Sequence, residues 1–282
     1  MKLFHLSDIH FGLEDPVALA WAADCIARER PDAVAITGDL TMRARHREFA
    51  AACAWIGSLD VPVTVEVGNH DMPYFNLFER FLDPYRRFKG IESLLERQLD
   101  LGELAIVPLK TTARAQARLN WSKGWASKGA LRHTLAEIDR LPRSTRVLVA
   151  AHHPLVEVGT RGTALTRGGQ HALEELARRP QVLAVLSGHV HDPFDLTAET
   201  DSGPVRMIGA GTLSLRIRST PPSFNEIVIE GREIRLRARN LDEVSTRDMQ
   251  VPEVPEDAMP PREPGEPVAP VGMVPAVDPP VH

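Results

Sequence analysis

The 282-residue chain is expected to take an α/β fold, and three observations carry that expectation. Short apolar runs alternate with amphipathic helical stretches over residues 1 to about 246. Small polar clusters, several led by glycine, stand just after those apolar runs. From Val205 onward, closely spaced β-like segments replace the alternation. A mainly parallel first part is therefore expected to pass into an antiparallel second part, with two packed sheets as a compatible architecture.

The elements follow in order. Lys2 to Leu6 is the first strand; a helix runs from Pro16, whose fixed φ suits a first turn, to Arg28. Ala33-Val34-Ala35-Ile36 is the next strand, Arg45 to Leu59 a second helix, and Val61 to Val67 alternates as a strand does. Tyr74 to Gln98, rich in aromatic and charged residues, reads as helix or loop. Leu104 to Leu109 is a strand, Leu131 to Leu141 has helical periodicity, and Arg146 to Ala150 is a continuous apolar run of the buried-strand type. His171 to Arg179 is a helix closed by Pro180, and Val182 to Leu186 is the strand after it. The β-like segments are Val205 to Ile208, Thr212 to Ile217, Ile227 to Ile229 and Ile234 to Arg239, with Glu230-Gly231-Arg232 as a hairpin turn.

Composition narrows the function classes. Residues are 43% hydrophobic and 25% charged, ordinary for a globular protein. Lys and Arg number 33 against 38 Asp and Glu, and the net charge of -5 speaks against an extended nucleic-acid surface. No apolar run reaches the roughly 18 residues of a membrane span, and the opening Met1 to Asp8 is interrupted by His5 and Asp8, unlike a secretory signal. Cys25 and Cys53 lie in Ala-rich stretches and read as reduced thiols, so a cytoplasmic location is expected. Ten of the 23 prolines fall in the last 32 residues. Residues 1–246 are accordingly expected to be the folded domain and 247–282 a disordered Pro-rich tail.

The 11 histidines are not scattered. Six fall in four clusters: Asp8-Ile9-His10, Gly68-Asn69-His70-Asp71, His152-His153-Pro154 and Gly188-His189-Val190-His191; a further apolar run ends in Gly38-Asp39. Ligand sites of open α/β sheets form at the carboxyl ends of strands, so these clusters are expected to converge. Imidazole with carboxylate suits Mn, Fe or Zn better than Mg or Ca. Asp8 and His10, two apart, can project to one side and grip one ion, and His189 with His191 repeats the geometry. Asp39 offers two oxygens for bridging two cations, and Asn69 a neutral carbonyl. Glycines 38, 68 and 188 are expected to let the backbone turn sharply. His5 reads as a core histidine; His46, His133 and His171 read as helix-surface residues.

The order Asp-x-His, Gly-Asp, Gly-Asn-His-Asp, His, Gly-His-x-His resembles the calcineurin-like metallophosphoesterases, over about residues 1 to 240. That resemblance implies a four-layer α/β/β/α sandwich, two packed mixed sheets flanked by helices, with a dinuclear metal site at the strand C-terminal ends. It implies two divalent or trivalent ions, Mn or Fe favoured over Zn. One would take Asp8, His10, Asp39 and His191; the other Asp39, Asn69, His152 and His189, with His152 fitting the pattern better than His153. A metal-bridging hydroxide would attack phosphorus in line, His70 would assist the phosphate and leaving group, and Asp71 would orient His70. Ions of this kind bind a phosphate without a basic protein surface.

Leu6 to Gly12 and the Asn69-His70-Asp71 ending are similar to the bacterial cyclic-nucleotide and glycerophosphodiester branch. The expected activity is a phosphodiesterase on a small phosphodiester or nucleotide. The alternatives are a DNA nuclease, a nucleotide-lipid pyrophosphatase, or a non-catalytic scaffold of the same fold. A homodimer is the candidate assembly. Arg43, Arg45, Arg161 and Arg167 are substrate-contact candidates, and Trp121 and Trp125 candidates for stacking a base.

Overall fold

The computed structural model describes residues 1–73, 82–83, 85–94, 101–113, 123–162 and 165–241. In chain order the elements are β1 (Lys2–Leu6), α1 (Pro16–Glu29), β2 (Ala33–Ile36), α2 (His46–Ser58), β3 (Val63–Val65), α3 (Arg86–Leu94), β4 (Leu104–Pro108), α4 (Lys128–Arg140), β5 (Arg146–Ala150), α5 (Gly169–Ala177), β6 (Val182–Ser187), β7 (Phe194–Ala198), β8 (Val205–Gly209), β9 (Ser223–Glu230) and β10 (Glu233–Asn240). Local chemistry sets their ends. The Asp15 carboxylate accepts hydrogen bonds from the backbone N–H groups of Val17 and Ala18 at 2.9 and 3.1 Å, capping α1 ahead of Pro16, and Arg30 closes that helix in the left-handed region.

Two five-stranded sheets result, ordered β10-β9-β1-β2-β3 and β4-β5-β6-β8-β7. In the first, β1, β2 and β3 are parallel and β9 pairs antiparallel with β1. In the second, β4, β5, β6 and β8 are parallel and β7 is an antiparallel edge. The expected division into a parallel first part and an antiparallel second part is corrected: β8 returns parallel to β6, and the β9–β10 hairpin crosses back to join β1. Strand β7 was not expected; Phe194, Leu196 and Ala198 pack inward while Asp195 and Thr197 alternate with them. Thr212 to Ile217 is not a strand, because the hydroxyls of Thr212 and Ser214 bond to each other and to neighbouring backbone in place of a ladder.

Strand alternation sorts the side chains into three apolar layers. Phe4, Leu6 and Ile36 face α1 and α2, packing with Ala22, Ile26, Phe49 and Ile56. Val147, Val149 and Val185 face α4 and α5 through Leu131, Ile138, Leu173 and Leu176. Leu3, Ala35, Leu148, Leu186 and Ile227 fill the space between the sheets. The fold is thus the four-layer α/β/β/α sandwich. Burying a large aliphatic or aromatic side chain contributes about 1.5–3 kcal/mol, so register is firmly set: a one-residue slip of β1 would place His5 where Phe4 meets the helices.

No described helix is long and apolar enough to cross a membrane. Trp121, most of Tyr74 to Gln98 apart from the α3 region, and the 247–282 tail lie outside the described residues.

Candidate metal centre

The clusters meet where β1, β2 and β3 of one sheet and β5 and β6 of the other release their chains. The backbone there is unusual. Among the described residues, seven non-glycine positions have positive φ, and five are Asp8 (54°), His10 (53°), Asp39 (52°), His189 (69°) and His191 (60°). Left-handed conformations cost such residues about 1–2 kcal/mol each, so the fold concentrates strain where side chains must turn inward. Asp8 and His10 therefore converge through left-handed turns, not through the alternation of an extended strand.

Three glycines show what the site demands. Gly38 does adopt a positive φ, 95°, and a Cβ there would lie 2.6 Å from His152 Nδ1. Gly68 does not; a Cβ on it would collide with the backbone nitrogen and Oδ1 of Asp39. The expectation that glycines 38, 68 and 188 serve a sharp turn is thus corrected at Gly68 and at Gly188, where the need is for empty space against the Asp39 carboxylate and against Ser7 and the Asp8 carboxylate.

Asp8, His10, Asp39, Asn69, His152 and His191 are buried. His191 Nε2 lies 3.2 Å from Asp8 Oδ1 and 3.2 Å from His10 Nε2. Asp39 Oδ2 lies 3.8 Å from His10 Nε2 and 3.3 Å from His152 Nε2, between the two halves of the set. His152 Nε2 is 3.1 Å from Asn69 Oδ1. His189 joins through its backbone N–H, which donates to Asp8 Oδ2 at 2.8 Å, and its ring clusters with His152 and His153.

Ring orientation is set from outside. His191 Nδ1–H donates to Arg216 O at 2.6 Å and His152 Nδ1–H to Thr37 O at 2.7 Å, so both Nε2 atoms face inward. Asp8 Oδ1 and His10 Nδ1 are buried with no hydrogen-bond partner. Charge tells the same story. Burial would raise Asp8 and Asp39, yet the surrounding histidines hold both carboxyls well below the usual range. Burial would lower His152, yet Asp39, with help from Asp8 and Thr37 O, lifts it to about 10. Burial carries His10 well down and His189 down to about 3. Carboxyls held down and an imidazole held up, each against its own burial, mark a pocket that favours positive charge, and these donors fit a metal pair.

His70 is half-buried, its ring grouped with His10 and Asp39. Its Nδ1 bonds to Met42 O at 2.7 Å, so Asp71 does not orient it. Instead the Asp71 carboxylate accepts from the backbone N–H groups of Leu40, Thr41 and Gly68 at 3.2, 2.8 and 2.9 Å, tying two site loops together. The Thr41 hydroxyl donates a fourth bond at 3.0 Å, so both carboxylate oxygens are doubly engaged and none of these bonds goes to the ring. Burial, then the charge of Asp39, raises Asp71 to about 6 against those hydrogen bonds. His153 Nδ1 lies 2.9 Å from Thr111 Oγ1, while its ring stays in the cluster with His152 and His189.

His5 is a core histidine as expected, bonded to Thr37 Oγ1 at 2.9 Å; His46, His133 and His171 are exposed. Arg167 lies 5.0 Å over the Trp125 ring, so these two candidates engage each other, and Arg43 and Arg161 are exposed. Sequence reasoning missed Arg216, whose Nη1 stands 3.2 Å from His70 Nε2 and 3.4 Å from His10 Nε2. It sits in the run misread as a strand, and no motif marks it.

Donors of this kind at the strand ends of an α/β/β/α sandwich make a candidate dinuclear metal centre. The family model for calcineurin-like phosphoesterase matches residues 1–193. The chain belongs to the calcineurin-like phosphoesterases, a family of metal-dependent phosphoric ester hydrolases. It is 28% identical over 167 residues to a probable glycerophosphodiester phosphodiesterase GpdQ of Arcobacter nitrofigilis, covering 58% of each protein, so it spans just over half of that relative. It is 26% identical over 221 residues to the 3',5'-cyclic adenosine monophosphate phosphodiesterase CpdA of Pseudomonas aeruginosa, covering 74% of each. A dimetal phosphatase from Danio rerio shares the fold, with a TM-score of 0.62 and 16% identity over 85% of this chain and 96% of that one.

Proposed function

We propose that the chain is a dinuclear-metal phosphodiesterase acting on a small phosphodiester or nucleotide. One observation carries the reading: acceptors face each other in the interior. His191 commits its Nδ1 proton to Arg216 O, yet its Nε2 stands 3.2 Å from the partnerless Asp8 Oδ1. Only a cation or an added proton makes that contact favourable. In this reading one ion is held by Asp8, His10, Asp39 and His191, and the other by Asp39, Asn69, His152 and His189. Bound there, the ions, Mn or Fe before Zn, supply Lewis acidity that lowers the pKa of a water and neutralises phosphate oxygens.

The remaining work belongs to the side chains. Thr37 O and Arg216 O hold two imidazoles by Nδ1, so their lone pairs stay aimed inward. His70, anchored on Met42 O, presents Nε2 to the site; a proton carried there is placed for delivery to the leaving oxygen. Asp71 is a positioning residue that locks the loops bearing Asp39 and His70. The diester preference is supported by the two named phosphodiesterase relatives. A cytoplasmic setting is supported by Cys25 and Cys53 standing unbridged.

The test is hydrolysis of bis-p-nitrophenyl phosphate by Mn-loaded protein, beside metal counting by mass spectrometry. Two ions per chain are expected, and Asp39→Asn should lower kcat/KM by about a hundredfold or more, since it removes the shared carboxylate. Equal rates for the two proteins would end the proposal. Cyclic nucleotides, glycerophosphodiesters, UDP-diacylglucosamine and single-stranded DNA, assayed together, distinguish the substrate classes.

A further inference from the structure

We propose that Arg216 is the phosphate-gripping cation of this site, an inference that rests on the phosphodiesterase reading above. Three other half-buried arginines of the fold are paired with carboxylates. Arg206 forks onto Asp195 with both contacts at 2.8 Å, Arg179 onto Asp139 with both at 2.9 Å, and Arg239 reaches Glu29 and Glu226 at 2.9 Å. Arg216 has no carboxylate within 4.0 Å among the described residues. The side-chain neighbours of its Nη1 are two imidazoles and a thioether: His70 Nε2 at 3.2 Å, His10 Nε2 at 3.4 Å and Met42 Sδ at 3.8 Å. A guanidinium stays charged at every working pH. Here that charge is half-buried with no carboxylate in direct contact among the described residues, and it points between the proposed leaving-group histidine and a proposed metal ligand.

The loop around it is fastened on both sides while the side chain stays unbound to any anion. Arg216 O accepts the His191 Nδ1 proton at 2.6 Å, and Arg216 N donates to Ser214 Oγ at 3.3 Å. Thr212 Oγ1 donates to Asp8 O at 2.6 Å. Further on, the N–H groups of Ser219 and Thr220 donate to Asp192 Oδ1 at 2.9 and 3.1 Å. Asp192 directly follows His191, so the same short segment that carries a proposed ligand also fixes the Arg216 loop. Leu215 and Ile217 are 62% and 54% exposed, and the residue between them turns the other way, into the site.

A guanidinium donates two parallel hydrogen bonds to a phosphate more favourably than one bond to an imidazole. Substrate binding therefore draws Arg216 onto non-bridging oxygens and frees His70 Nε2 for the leaving oxygen. The ligand chemistry is the phosphate group itself, whichever alcohols it esterifies.

The experiment uses the full chain loaded with Mn and inorganic phosphate as the probe, titrated by calorimetry, with metal content and bis-p-nitrophenyl phosphate kinetics measured alongside. Arg216→Gln should keep two ions per chain, because the backbone carbonyl that holds His191 is unchanged. Its phosphate affinity should fall about tenfold or more, equivalent to about 1.4 kcal/mol. KM should rise in parallel while kcat changes by less, and Arg216→Lys should recover part of the loss. Unchanged phosphate affinity in Arg216→Gln with both ions bound overturns the proposal. So does loss of an ion, which would make Arg216 a support for the ligands. A wild type that hydrolyses no diester yet binds phosphate through Arg216 sinks the phosphodiesterase reading and leaves this one standing.

Discussion

His5 and His152 are both fully buried, and both bond to Thr37, one to its hydroxyl and the other to its carbonyl. They end in opposite states. Burial carries His5 down to about 3, with Asp8 opposing it only weakly; His152 is lifted to about 10 against its own burial, chiefly by Asp39. The difference lies in the neighbours. His5 sits between the sheets beside Asn225, whereas His152 Nε2 lies 3.3 Å from a carboxylate. A unit charge at 4 Å is worth about 4 kcal/mol at an effective dielectric near 20, and a pKa unit about 1.4 kcal/mol. One or two close carboxylates thus suffice to reverse a desolvation shift of several units. The interior beneath the strands is built from neutral polar pairs, and the rim above them for positive charge.

Crowding Asp39 attacks that rim most directly. In Gly68→Ala the added methyl meets the Asp39 backbone nitrogen and Oδ1, so the shared carboxylate must move. We expect loss of bound Mn and a drop of about a hundredfold or more in kcat/KM, with a stability cost of about 1–3 kcal/mol from overpacking. Full metal content in this variant would show that the Asp39 position is not needed. Asp71→Asn probes a group between the two regimes, a carboxyl raised to about 6 by burial and Asp39. Its amide NH2 would face either the Leu40 and Gly68 N–H groups or those of Thr41, donor against donor. Denaturant unfolding should show a loss of about 1–3 kcal/mol. The kcat of the folded, metal-loaded variant should change little, because the His70 ring is held by Met42 O. A large loss of kcat at unchanged stability and metal content would return Asp71 to a direct role on His70.

How much of this was legible in the sequence depended on where each feature's cause resides. Strands such as Val147 to Ala150 and Val182 to Leu186 are buried on both faces and so read as continuous apolar runs. Edge strand β7 is buried on one face only, and its Phe-Asp-Leu-Thr-Ala alternation is short enough to pass as loop. The convergence of Asp8, His10, Asp39, Asn69, His152, His189 and His191 was legible because side-chain chemistry and strand-end position both travel with the sequence. Left-handed backbone at five of them was not, since nothing in Asp-x-His distinguishes a strand from a turn. Arg216 and the true partner of Asp71 depend on loop paths set by tertiary hydrogen bonds between segments more than 20 residues apart.

The smallest effect tests the neutral half of the comparison. A histidine at about 3 in the folded chain and near 6.5 when unfolded binds its proton more readily in the unfolded state. The stability this provides is fully present above pH 6.5 and is lost as pH falls toward 3, at about 1.4 kcal/mol per pH unit. Between pH 6.5 and 5, His5 should therefore withdraw about 2 kcal/mol. His5→Gln retains a polar side chain beside Thr37 and Asn225 without a titrating nitrogen. Its unfolding free energy should fall less steeply over that range by about the same amount, measured with urea at several pH values. Identical slopes in the two proteins would mean that His5 keeps its proton when buried, and that the interior at β1 is as receptive to charge as the rim.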